Sequence, residues 1–233
     1  MDITSLDLLD RRLFLLLNGS ESDWWDGFMW TVTQTQTWIP LLLVLLYVVL
    51  KTGGWRQLLC FSLALALAIL LADQLSSSLL KPLFHRPRPT HAASLQGMVD
   101  TVRGYTGGPY GFVSSHAANT FAVFLLCALT VRSRLLTLTL FLWAAMDSYS
   151  RVYLGVHYPG DILCGALLGL VCGLVCYLLY WLVYERRSKT IQFRTAAYTP
   201  SGFLVSDVHL LMLVLSLTLL YVCLRAILFA CGM

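Results

Sequence analysis

The chain has 233 residues, of which 58% are hydrophobic and only 12% charged, a balance far from that of soluble globular domains. A water-soluble enzyme is excluded, and a formal net charge of +4 is too small and too scattered for a nucleic-acid groove. The partner implied is a lipid bilayer.

No cleaved signal is read at the N-terminus, because acids lie in the leading segment and no small-residue cleavage site follows the late apolar stretch. Residues 1–18 read as a helix. Leu6, Leu9, Leu13, Leu16 and Leu17 recur at helical spacing opposite Asp7, Asp10 and Arg11, behind a Thr4-x-x-Asp7 capping pattern. Such a helix either lies at the membrane interface or packs on the other helices.

Crossing the hydrocarbon takes about 20 apolar residues at ~1.5 Å each, and six stretches qualify: 28–50, 57–80, 112–131, 134–150, 161–184 and 207–231. The fourth is short and continues into a polar segment that completes it. The fold class expected is therefore all-α, a polytopic six-transmembrane-helix bundle with an N-terminal interfacial helix, in one domain spanning 1–233. The connections at 51–56 and 132–133 are tight, so their flanking helices should be antiparallel neighbours, while 81–111 and 185–206 have room for structure. Gly165, Gly169 and Gly173 recur every four residues along the fifth span, a poor choice for propensity but a good one for close approach of a neighbouring backbone. All seven cysteines fall in apolar runs and read as packing residues; Cys172 and Cys176, four apart, lack a nearby His or carboxylate to complete a metal site.

Six spans place both termini, 81–111 and 151–160 on one face. That face carries Arg11, Arg12, Lys81, Arg86, Arg88, Arg103 and Arg151, against Lys51, Arg56, Arg132, Arg134, Arg186, Arg187, Lys189 and Arg194 on the other. With Lys81, Arg88 and Arg151 set aside as site residues the second face is the more basic, and the positive-inside tendency puts it in the cytoplasm. The termini and the long loop then face outward.

Chemistry concentrates at three places on that outer face. Lys81-Pro-Leu-Phe-His-Arg-Pro-Arg88-Pro89 leaves the second span, Ser114-Ser115-His116 opens the third, and Ser150-Arg151, His157 and Asp161 join the fourth to the fifth. Each alone suits an interfacial anchor. Together they supply cations, imidazoles, hydroxyls and a carboxylate, which suits a phosphate. Phosphoryl transfer needs charge stabilisation on the non-bridging oxygens, an in-line nucleophile and a proton donor for the leaving oxygen. Lys81, Arg88 and Arg151 answer the first need, with Ser114, Ser115 and the free N–H groups of a helix N-terminus adding donors. Two histidines divide the rest, and Asp161 lies four residues after His157, where it can orient that ring.

These motifs resemble those of the type 2 phosphatidic acid phosphatase superfamily, whose pattern is K-x6-RP, then PSGH, then SR-x5-H-x3-D. Lys81, Arg88 and Pro89 match the first element, and Ser150, Arg151, His157 and Asp161 the third; in the middle Ser114 and His116 are in place, while Val113 stands for the proline and Ser115 for the glycine. The resemblance implies a site at the outer membrane–water boundary that uses neither metal nor cofactor. It implies that His157 attacks phosphorus to give a phosphohistidine, Asp161 orients it, and His116 protonates the leaving oxygen and later activates water. Lys81, Arg88, Arg151 and Ser114 would bind the phosphate, with Ser115 expected to donate. The substrates implied are lipid phosphates or diphosphates: undecaprenyl diphosphate, lipid A phosphates, phosphatidic acid or phosphatidylglycerol phosphate, at the periplasmic side of an inner membrane, with no obligatory protein partner. A lipid-to-lipid phosphotransferase and a non-catalytic lipid transporter are the alternatives.

Beside these, Asp147 lies four residues before Arg151 and is expected to hold that guanidinium in place, and Ser150 is expected to support the site from behind. Asp73 and Arg225, both within spans, offer an ion pair across helices. His85 and His91 flank the loop arginines, His209 reads as an interfacial residue, and Gly104 to Gly111, with Tyr105 and Tyr110, is a candidate lid.

Overall fold

The computed structural model describes residues 3–186 and 196–232. Every regular element among them is helical, as apolar sequence in lipid requires, because no water is there to satisfy backbone N–H and C=O groups. Arg187, Lys189 and Arg194 of the charge comparison, and the Thr4 side chain of the expected cap, lie outside what is described.

The first helix, α1 (Ile3–Leu17), turns its polar side inward. Asp7 and Asp10 meet Arg86, Arg11 meets Ser94, and Phe14 is wholly buried with its ring 5.5 Å from that of Tyr158. Leu6, Leu9, Leu13 and Leu16 are left exposed, Leu16 at 81%.

The expected span 28–50 is two helices. After α2 (Asp23–Val32) the Thr37 hydroxyl donates to the Thr31 carbonyl and the Trp38 indole to that of Val32, both at 2.8 Å. These bonds close a corner at the 3-10 turn Thr35–Trp38 before α3 (Ile39–Asp73) begins. Short hydroxyl side chains divert backbone in this way. Nor is 51–56 a loop: helical dihedrals run up to Gly54 and resume after it, and its φ of 69° and ψ of −166° suit glycine alone. The chain reverses there. Leu45 and Leu65 border one cavity, although a straight helix would hold them about 30 Å apart.

From Asp73 the helix widens into a π turn, Gln74–Leu80, and runs into α4 (Lys81–Phe84). The remaining helices are α5 (Ser115–Val131), α6 (Arg134–Tyr153), α7 (Pro159–Tyr180, continued by a π turn to Glu185) and α8 (Val205–Ala230). They follow the expected third to sixth spans closely, and α6 takes in the polar segment up to Tyr153. Among the described residues three stretches have the length and apolar composition to cross a membrane, Thr35–Phe84, Pro159–Glu185 and Val205–Ala230, and α5 is a shorter apolar helix. Leu163 and Leu167 on α7 and Leu213 and Leu217 on α8 are more than half exposed, a surface made for lipid. The protein is an integral membrane protein.

The contact between α5 and α7 sets the position of the two helix openings that carry Ser114 and Asp161. A Cβ on Gly165, Gly169 or Gly173 would come within 2.4, 2.2 or 2.6 Å of the carbonyl oxygens of Ser114, Ala118 and Ala122. The glycine stripe therefore lets two backbones touch, as its spacing predicts. It also brings the opening turns of the two helices together: the Ser114 N–H donates to the Asp161 carbonyl at 3.1 Å. All seven cysteines are free.

Candidate active site

After α6 ends, the chain turns at Gly155 (φ 77°), and the N–H groups of Val156 and His157 both donate to the Arg151 carbonyl at 3.1 and 3.2 Å. His157 is thereby folded back over the helix end that carries Arg151, and it is only 2% exposed. Asp161, fully buried in the first turn of α7, sets Oδ2 3.5 Å from His157 Nδ1, too long for a hydrogen bond but close enough for charge to act. The same oxygen accepts the Tyr158 N–H at 3.0 Å, and Oδ1 accepts from Arg86 at 2.7 Å. Burial pushes the His157 imidazole down to about 4; Asp161 opposes this and the charges of Arg88 and Arg151 reinforce it. At neutral pH the ring is uncharged, the form in which it carries a lone pair.

Two prolines explain the arginines. A residue before proline is held extended, so Arg86 and Arg88 sit on an extended run, which pairs with 109–111. The Arg88 N–H donates to the Pro109 carbonyl at 3.1 Å and the Gly111 N–H to that of Arg86 at 2.9 Å. Side chains two apart on such a run share a face. Arg88 is 9% exposed, gives Nε to the Tyr110 carbonyl at 3.1 Å, and leaves Nη1 buried with no protein acceptor. Gly107 (φ 65°) is required beside it, since a Cβ there would stand 2.5 Å from Nη1. Arg151, also 9% exposed, donates to the Thr33 hydroxyl at 2.8 Å and the Tyr105 hydroxyl at 3.0 Å, and its Nε is likewise buried and unmet. Burial and the neighbouring Arg151 charge hold Arg88 below its ordinary basicity.

At the opening of α5, Ser114 is the buried N-cap, and its hydroxyl accepts the Ala117 N–H at 3.4 Å. Ser115 accepts from Lys81 Nζ at 2.8 Å, so the hydroxyl that replaces the family's glycine has a lysine as its neighbour. His116 points Nε2 at Asp147 Oδ2, 2.8 Å away, with the N–H off the line to that oxygen; the ring is a quarter exposed. The expectation that Asp147 holds Arg151 is thus corrected. Spacing of i,i+4 describes one helix only, and Asp147 turns instead to the neighbouring helix, while Arg151 is held by Thr33 and Tyr105. The Ser150 hydroxyl donates to the Asp147 carbonyl within α6 at 2.5 Å.

His116 and Asp147, with Asn119 and a few threonines, line a cavity of about 250 Å³ whose walls are otherwise apolar, Leu41, Leu45, Leu65, Leu140 and Trp143 among them. Asp73 and Arg225 do not pair: Asp73 accepts from Ser77, and Arg225 borders a separate cleft with Trp30 and Tyr221. His85 packs edge-on to Tyr110 and His91 meets Thr90. The candidate lid is tied to both arginines through Tyr105 and Tyr110. Thr33 carries no mark in the sequence, Tyr105 is expected there only as part of the lid, and Arg86 only as an outer-face cation, although the Arg-Pro-Arg-Pro run aligns it with Arg88.

Apolar helices with a lysine, two buried arginines and two carboxylate-facing histidines gathered at one end make a membrane protein with a buried, cation-rich polar cluster. The chain belongs to the PAP2 superfamily, whose family model matches residues 57–187 and so includes every residue from Lys81 to Asp161. A lipid A 4′-phosphatase of Bacteroides thetaiotaomicron is 43% identical over 169 residues, 71% of this chain and 74% of that protein. One from Porphyromonas gingivalis is 37% identical, over 67% of this chain and 66% of that protein. The crystal structure of Aquifex aeolicus LpxE matches with a TM-score of 0.57 at 28% identity, covering 72% of this chain and 94% of that one. A Bacillus subtilis phosphatidylglycerolphosphate phosphatase shares the fold, with a TM-score of 0.53 at 24% identity over 82% of this chain and 89% of that one.

Proposed function

We propose that this chain, a lipid phosphatase, removes a phosphate from a lipid of the lipid A class through a phosphohistidine on His157. Its relatives named lipid A 4′-phosphatase favour that lipid over undecaprenyl diphosphate and the phosphatidyl phosphates. The observation that carries the reading is a buried His157 beside Asp161, flanked by two arginines that each keep one buried nitrogen no protein atom meets, Nη1 of Arg88 and Nε of Arg151.

Arg88 Nη1, Arg151 Nε, Lys81 and the Ser114 hydroxyl bind the phosphate oxygens and neutralise charge as the transition state forms. Asp161 faces Nδ1 of His157, which leaves Nε2 to attack phosphorus in line. The P–N bond forms as the P–O bond to the lipid breaks, and His116 gives the leaving oxygen its proton. With Nε2 of His116 turned to Asp147, Nδ1 is the nitrogen that serves. Water then attacks the phosphohistidine, His116 takes its proton, and inorganic phosphate departs. The apolar cavity beside His116 receives an acyl chain of the lipid. Counting the reversal at Gly54, six helices span the bilayer, and α1 lies on its surface with the exposed leucines toward the acyl region. The site faces the periplasm, the less basic side.

Phosphate release by the purified protein in detergent over lipid A, undecaprenyl diphosphate and phosphatidic acid, with and without EDTA, tests this. Lipid A should turn over fastest, EDTA should leave the rate alone, and acid quenching should trap an acid-labile label that His157→Ala lacks. A faster rate on another lipid overturns the substrate, and loss of activity with EDTA overturns the reliance on cationic side chains. Phosphate recovered on a second lipid instead of free in solution would mean transfer.

A further inference from the structure

The mechanism above makes no use of Arg86 or of the helix that holds it. Arg86 Nη1 lies 2.7 Å from Asp161 Oδ1, while Nη2 lies 2.8 Å from Asp10 Oδ2 and 3.0 Å from Asp7 Oδ1. Its guanidinium carbon stands 4.1 Å from the centre of the Tyr158 ring. Asp10 also accepts the Gly160 N–H at 2.7 Å, and a Cβ on Gly160 would come within 2.7 Å of Asp10 Oδ2. One carboxylate of α1 therefore touches both the cation on Asp161 and the residue before Asp161.

We infer that α1 is a positioning element of the active site: through Arg86, Asp7 and Asp10 set the placement and effective charge of Asp161, and through Asp161 the orientation of His157. The inference rests on the reading of His157 as the nucleophile. A fully buried carboxylate needs a compensating cation, yet a cation given wholly to Asp161 draws its oxygens from the imidazole, which lies at 3.5 Å against 2.7 Å for Arg86. Sharing Arg86 among three carboxylates resolves the conflict. Asp161 is held, and it keeps enough negative charge to act on the ring. Burial works against the charge on Arg86, but Asp161 and Asp10 outweigh it and keep the guanidinium more basic than usual.

Three variants in the full chain, Arg86→Gln, Asp10→Asn and their double, separate positioning from mere docking. Arg86→Gln should lower kcat about tenfold or more and Asp10→Asn by a few fold, both with KM within about twofold. Because Asp10 acts through Arg86, the double variant should be no slower than Arg86→Gln. The acid limb of kcat/KM should move up in Arg86→Gln, where Asp161 acts on His157 uncompensated, and down in Asp10→Asn, where Arg86 falls more fully on Asp161. Multiplying losses in the double variant, or an acid limb unmoved in both single variants, overturns the inference. Thermal melting in detergent identifies any variant that is simply unfolded, and the mildly exposed Asp10→Asn carries the test if Arg86→Gln is. His157→Ala runs alongside: if it keeps turnover, the nucleophile assignment fails, whereas a dead His157→Ala with additive losses at Arg86 and Asp10 sinks the coupling alone.

Discussion

His157 and His116 are the same side chain in opposite surroundings. His157 is 2% exposed in a turn folded over α6, with Asp161 on one nitrogen and the charges of Arg88 and Arg151 acting on it. His116, a quarter exposed, lines a mainly apolar cavity with a buried carboxylate 2.8 Å away. Cations and burial strip the proton from the first ring, whereas the second faces a carboxylate beside a cavity with mainly apolar walls. In the proposed mechanism environment, more than residue type, divides nucleophile from acid. The comparison breaks most sharply on substitution. His157→Ala should lose turnover by ~10⁴-fold or more on any phosphate ester. His116→Ala should lose ~10²–10⁴-fold on lipid A and far less in the first step on an aryl phosphate, whose leaving group needs no proton. Its acid-labile label should then accumulate, because water attack has lost its base. Equal losses on both substrates would abolish the division of labour.

A milder blow tests the partner of the second ring. Asp147→Asn removes the charge facing His116 and should lower kcat on lipid A about tenfold, with KM and the label yield on an aryl phosphate unchanged. If KM rose instead, Asp147 would belong to substrate binding. The first ring has its own signature. Its imidazole is pushed down to about 4, so it is uncharged above that pH and gains its proton only as pH falls through it. The acid limb of kcat/KM should accordingly lie near 4, with activity nearly intact at about pH 5, where an ordinary imidazole would be mostly protonated. A limb near 6 to 7 would place the nucleophile in an exposed or anionic setting.

The two histidines were legible in the chain, and so was the scaffold that joins them. Gly165, Gly169 and Gly173 announce a close helix contact because lost propensity needs a packing reason, and that contact is what brings Ser114 beside Asp161. Apolar counting located α5 to α8 because nothing in those runs competes for the backbone. It failed between Thr31 and Trp38, where hydroxyl and indole groups bond to carbonyls and break the helix, and at Gly54, where one residue replaces a loop. Asp147 was placed near the site but given the wrong partner, since helical spacing is silent about which neighbouring helix presents a better one. Arg86 was counted as a surface cation, although the prolines after it and after Arg88 place both on one extended face. Its three carboxylate partners come from α1 and α7, and no local pattern in the chain shows that.

The smallest effect is expected at the one motif position where a hydroxyl replaces glycine. Ser115 accepts from Lys81 Nζ at 2.8 Å, and Ser77 lies 3.4 Å from the same nitrogen, so the ammonium is pinned from two sides. Ser115→Gly removes the nearer acceptor and frees the lysine stem. Because Ser77 and the two arginines remain, KM for lipid A should rise by only about two- to fivefold, the worth of one hydrogen bond to a charged group in a wet site, with kcat hardly moved. Inhibition by inorganic phosphate should weaken by the same factor, since both ligands meet Lys81 through phosphate oxygens. A gain in activity would show the opposite, that the hydroxymethyl group crowds the phosphate at the opening of α5 and that glycine serves there through its small size.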